Sequence, residues 1–174
     1  MENIRKLEGV IAGWFKNVPH LPPTGQKWLA QNAWWLVMVW VILGVFGIVS
    51  LLMVTFFASA FLTGFGPVGA VVGGLAFVAV TIALLFAIVN VVLAAIAISP
   101  LKLMQKRGWM LLFVVALLNV TADVIAFLLD LNLFALIWNL LFIGVGTYFL
   151  FEIRGYFDGA KSPKKVAAKQ KKTE

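Results

Sequence analysis

The chain has 174 residues, 63% of them hydrophobic and only 12% charged, with mean hydropathy +1.02. That apolar fraction exceeds what a soluble fold of this size can hide, so the surrounding medium is read as lipid. The absence of cysteine excludes disulfides, thiolate catalysis and cysteine metal sites, and the single histidine, His20, cannot hold a metal unaided.

No basic start with a short apolar stretch and a small-residue cleavage site opens the sequence, so the mature chain is expected to begin at Met1. Residues 1–18 read as an amphipathic helix, with Ile4, Leu7, Ile11, Trp14, Phe15 and Val18 at three- and four-residue spacing and Arg5, Lys6, Glu8 and Lys16 elsewhere. Too polar to span, it is expected to lie in the headgroup plane at the inner surface with Trp14 toward lipid; the competing reading is a docking helix for a partner. Residues 19–32 form a proline-rich linker and entry segment. Pro19, Pro22 and Pro23 in "PHLPPTG" break the helix, and Thr24 is the expected cap of the segment that follows.

The membrane domain is placed at residues 33–155. Its four apolar runs lie near 33–62, 68–98, 109–129 and 133–151, and each is long enough for a hydrocarbon core that needs about 20 residues. The first two runs are so long that their helices must tilt, protrude or break. The candidate break is "TGFGPVG", read as a plain uncharged turn, with dipping of its flanks into the interface as the alternative. The second run carries a ladder of small residues: Gly69, Gly73, Ala76, Ala83, Ala87, Asn90, Ala94 and Ala97. Such spacing lets two helix backbones approach closely in lipid, with the partner helix expected in the same chain rather than in a second copy.

The third run repeats the rhythm with polar rungs, since Asn119 and Asp123 share a face with Ala116 and Ala126. Ala135, Asn139, Phe142 and Gly146 make a comparable stripe in the fourth. At about 1.5 Å per residue, Asp123 and Asn139 both lie roughly 10 to 12 Å below the outer helix ends and are expected to meet; Asn90 and Asn119 form a second candidate pair nearer the inner ends. An ionised carboxylate at such a depth is costly and no Lys or Arg lies inside the runs, so Asp123 is expected to be protonated, hydrated or cation-bound. The favoured role is an interhelical bond, and the alternative is a proton or cation site lined by Asn119, Asp123 and Asn139. "DLN" reads as a tight turn in which Asp130 or Asn132 caps the fourth span.

All 14 basic residues fall in three places: the amino-terminal segment, the loop "SPLKLMQKRG", and the end, which holds Arg154, Lys161, Lys164, Lys165, Lys169, Lys171 and Lys172. With four spans these segments share one side, so both termini are expected to be cytoplasmic and the protein to sit in a cell or cytoplasmic membrane. Trp28, Trp34, Trp35, Trp109, Tyr148 and Tyr156 would form an inner aromatic belt, with Trp138 nearer the outer face. Residues 156–174 read as a basic disordered tail whose six lysines contact anionic lipid at the inner leaflet. Nucleic acid is disfavoured as a partner because no aromatics are interleaved with those lysines.

The fold class expected is therefore an all-α integral membrane protein, four transmembrane helices in two hairpins behind an amphipathic interfacial helix. No Ser/His/Asp set, HExxH or P-loop is present, so no catalytic residue, cofactor or metal site is assigned and an enzyme is not expected. The expected function is that of a scaffold, assembly partner or accessory subunit acting through helix packing, as a homo-oligomer or with another membrane protein. The alternative is a small transporter or channel subunit that uses Asp123.

Overall fold

A computed structural model of the chain describes residues 2–157. Among them the structure is all-helical: α1 (Glu2–Trp14), a 3-10 turn (Phe15–Asn17), α2 (Pro23–Thr63), α3 (Gly66–Lys102), α4 (Lys106–Asp130) and α5 (Leu133–Phe157). Helices α2 to α5 are each long and apolar enough to cross a membrane. Lys161, Lys164, Lys165, Lys169, Lys171 and Lys172, expected to contact anionic lipid, lie outside the described residues.

The first long helix starts earlier than expected, at Pro23 rather than Ala33. Pro22 is the residue before its first turn, and Thr24 lies inside the helix without capping it. Proline serves here as a starter, because its fixed φ suits the first helical position and its missing N–H would have had no helical partner there. Neither long helix breaks. At 41 and 37 residues, α2 and α3 extend about 60 Å and about 55 Å, and only Gly64 and Phe65 separate them. At the other short link Asn132 Oδ1 accepts the backbone N–H of Ala135 at 3.0 Å, so of the two candidate caps for the fourth span the structure gives Asn132 that role.

The buried cluster sits at one end of the bundle. The start of α2 contributes Ala30 and Ala33, the end of α3 Ala97 and Leu101, the start of α4 Trp109 and Phe113, and the end of α5 Leu150, Ile153, Tyr156 and Phe157. Small residues let the helices close there. They come close at Gly108, where an added Cβ would lie 2.6 Å from the backbone N of Leu101. Trp109 fills the centre: its ring stacks on Phe113, meets Phe151 edge-on, and its Nε1–H donates to the carbonyl of Leu150 at 2.7 Å. The sequence reading placed Trp109 in an aromatic belt; it is instead 1% exposed and serves as core. An indole can be buried this deeply because its one polar atom has a partner.

At the far end α2 and α3 hold each other through the first rungs of the ladder. A Cβ on Gly69 would come within 2.0 Å of the carbonyl oxygen of Leu62, and Gly73 faces Leu62 at contact distance. The ladder is not continuous. Ala94 and Ala97 are buried, Ala87 is half-buried, and Ala76 and Ala83 are exposed.

Two substitutions at glycines of α3 separate packing from propensity. Gly69→Ala should lower stability by about 1–3 kcal/mol through overpacking, whereas Gly74→Ala, with nothing within 4 Å of the new methyl, should be neutral or stabilising by up to about 1 kcal/mol. Unfolding of the purified variants in mixed detergent, followed by circular dichroism, measures the difference. In the same assay Trp109→Phe should cost about 1–3 kcal/mol through the lost hydrogen bond and the space left behind.

Candidate functional site

Two polar sites stand out, one beside the buried end and one within the apolar length of the bundle. The first centres on Glu152, in the penultimate turn of α5. One carboxylate oxygen, Oε1, lies 2.6 Å from His20 Nδ1; the other, Oε2, accepts the backbone N–H of Leu21 at 3.0 Å and the amide of Gln26 at 2.9 Å. Gln26 also donates to the carbonyl of Leu21 at 3.0 Å. Tyr148 donates its hydroxyl to Pro19 O at 2.6 Å and Tyr156 to Pro23 O at 3.3 Å. The proline linker has few N–H groups of its own, so it is held by side chains of α5 that supply acceptor and donors in the right order. Next to it, Arg154 pairs with the buried Glu8 of α1 at 2.5 Å, and its guanidinium lies over the Trp109 ring at 5.7 Å.

The amphipathic face of α1 divides accordingly. Phe15, just beyond its end, stacks on Phe151 and packs against Tyr148, and Ile11 packs on the buried cluster, while Leu7 and Trp14 are exposed. Sequence reasoning missed Glu152 altogether. The available signal was a lone acid near the end of an apolar run, at the end of the bundle where His20 and Gln26 also lie.

The second site lies along the apolar length of the helices. The structure brings Asp123 and Asn139 together, with Asn139 Nδ2 donating to Asp123 Oδ1 at 3.2 Å across α4 and α5. Asn90 and Asn119 do not bond to each other. They line one cavity instead, of about 620 Å³, whose walls come from α2, α3 and α4 and which Asp123 also reaches. Gly44 and Gly47 of α2 and Ala83 and Ala87 of α3 line it; a Cβ on Gly47 would meet nothing within 4 Å, whereas one on Gly44 would lie 2.7 Å from Val91 Cγ2. Asn90 is buried at 5% exposure. Its Nδ2 donates to Phe86 O at 3.0 Å, one turn back in its own helix, and its Oδ1 has no hydrogen-bond partner.

Among the described residues no group of three or more His, Cys, Asp or Glu side chains is placed to hold a metal. Comparison with known proteins gave no family model, no curated protein and no solved structure that matches the chain.

The linker clamp has a direct consequence. Glu152→Ala should leave the Leu21 N–H without its acceptor and the Gln26 amide with only Leu21 O, and cost about 1–3 kcal/mol locally. Faster proteolysis at residues 18–22, and faster hydrogen exchange at Leu21 than in the parent chain, are the expected readouts. Glu152→Gln should fall between the two.

Proposed function

We propose that this chain is a non-enzymatic integral membrane protein that works by packing, as a scaffold, assembly partner or accessory subunit of other membrane-embedded helices. The observation that carries the reading is the hydrogen bond between Asn139 and Asp123: the one acid well inside an apolar span is engaged in holding α4 to α5. Interhelical bonds of this kind contribute about 0.6 to 2 kcal/mol each in lipid. The long helices support the same reading, because most of their apolar side chains, among them Phe46, Phe56 and Phe57, face outward and are available to lipid or to another helix. A transport role for Asp123 draws on a different observation, its place in the wall of the cavity.

In this reading the four spans form two hairpins, α2 with α3 and α4 with α5. Lys27, Lys102, Lys106, Arg107 and Arg154 lie toward the buried end of the bundle, while the links at Gly64–Phe65 and Leu131–Asn132 carry no charge. Both termini are then cytoplasmic, α1 lies along the inner surface with Trp14 toward lipid, and the lysine-rich tail contacts anionic headgroups.

The chain has no cysteine, which makes the topology direct to test. Gln105→Cys should react with an impermeant maleimide only from the cytoplasmic side and Phe65→Cys only from the opposite side; the reverse pattern would overturn the orientation. For the role of Asp123, vesicles containing the protein should hold proton and sodium gradients as long as empty ones. Asp123→Asn should unfold within about 1 kcal/mol of the parent, since an amide oxygen keeps the bond, while Asp123→Leu should lose about 0.6 to 2 kcal/mol. A flux that Asp123→Asn abolishes would replace the packing reading with transport.

A further inference from the structure

Helices α2 and α3 run past the rest of the bundle. Ile125 and Ala126 of α4 share a cavity wall with Leu51 of α2 and Ala79 of α3, and α4 ends one turn further on, at Asp130. Residues 52–77, the end of α2, the turn and the start of α3, therefore project past the α4–α5 turn by about 15 Å, at a rise of about 1.5 Å per residue. No charged residue lies between Lys27 and Lys102, so each long helix is free of charge for about 54 Å, whereas α4 extends only about 33 Å from Gly108 to its end. A hydrocarbon core of about 30 Å accommodates α4 nearly upright and leaves much of the projection outside. Tilt does not remove the excess: at about 40°, the upper end of the usual range, about 54 Å of helix still spans about 41 Å.

The chemistry of the projection narrows what surrounds it. Met53, Val54 and Phe56 are exposed on α2 although successive helical residues point about 100° apart, and on α3 Val68 and Phe77 are exposed on opposite sides. Between the helices, Leu62 meets Gly69 and Gly73. Thr55 donates to Leu51 O at 2.6 Å and Thr63 to Ala60 O at 2.7 Å, so these hydroxyl donors are satisfied within their own helix without water. A protein partner or a second copy would cover one face and leave the others in water. A helix pair that is apolar on all its outward sides suits acyl chains, which cover every side at once and bring no polar group that needs a partner.

We infer that residues 52–77 are a lipid-immersed projection, and that the protein therefore associates preferentially with lipids whose acyl chains form a core thicker than about 30 Å. The inference rests on the embedding of the four long apolar helices in a membrane and not on the packing role of Asp123 or on which terminus faces the cytoplasm. A flux through Asp123, or a reversed orientation, would leave the lipid preference unchanged, so the two readings fail separately.

Two measurements on the full chain test this. In vesicles of dibrominated dioleoyl phosphatidylcholine, which quenches tryptophan fluorescence, unbrominated phosphatidylcholines compete for contact with the protein. Dinervonoyl chains are expected to displace the quencher about fivefold better than dioleoyl chains, and dimyristoleoyl chains worse than either, because the penalty of mismatch grows with each Å. Phe57→Lys combined with Leu75→Lys, both at exposed positions, shortens the charge-free length and should bring the ratio of dinervonoyl to dioleoyl close to one. Separately, a bimane on Phe57→Cys, the only thiol in that variant, should be shielded from aqueous iodide in dinervonoyl vesicles. A ratio of one or less in the parent chain would overturn the proposal, and so would a preference that the double variant retains. Full quenching by iodide would place the hairpin in water and overturn it, whether or not the double variant folds. Shielding that appears only as the protein-to-lipid ratio rises would place a second copy on the hairpin, and clustering of vesicles by the protein would place it in a facing bilayer; either result also overturns the proposal.

Discussion

The indole N–H of Trp109 donates to the carbonyl of Leu150 within a cluster where four helix ends converge, and the rest of the bundle is arranged around that junction. In lipid, apolar side chains gain nothing by leaving solvent, so helices are held by close packing and by polar groups that find partners. Trp109 supplies both at once, joining the start of α4 to the end of α5 while its ring stacks on Phe113 and meets Phe151 edge-on. The flanking charges follow from this placement. Arg154 lies over the same ring and reaches Glu8, and Glu152, two residues before it, fastens the proline linker. One buried aromatic thus connects the four long apolar helices to the segments that precede them.

Away from this junction the packing thins, and the polar residues take on a different character. Asp123 and Asn139 bridge α4 and α5 outside the buried cluster. Asn90 lies where α3 passes from the closed part of the bundle to the open part: Ala94 and Ala97 beyond it are fully buried, while Ala83 before it is exposed. An amide at such a boundary satisfies half of its needs within its own helix and leaves the other half buried without a partner. The cavity lies on the open side of this boundary, with Ala83 and Ala87 of the ladder in its wall.

The spans were legible in the sequence because unbroken apolar length is a strong signal that does not depend on partners. The meeting of Asp123 with Asn139 was legible too, since two residues at equal depth on adjacent helices have few other places to go. What could not be read were the features decided by tertiary context. Trp109 resembles a belt tryptophan by its position beside Lys106 and Arg107, and only its neighbours show that it is core. Pro23 resembles a breaker, yet at the first helical position it begins α2. Glu152 gives no local sign that three donors from a linker more than 120 residues earlier converge on it. Gly69 and Ala76 look alike as rungs, and whether a rung is buried depends on where the neighbouring helix runs.

The unbroken length of α2 and α3 has a mechanical consequence. A hydrocarbon core of about 30 Å is only about half of their length, so the two helices form a stiff arm anchored at the Trp109 end. Rotation by about 5° at the anchor would carry the Gly64–Phe65 turn sideways by about 5 Å, given a rise of about 1.5 Å per residue. Small adjustments in the packing of Ala97, Leu101 and Gly108 are in this way geared up into large excursions at the opposite end.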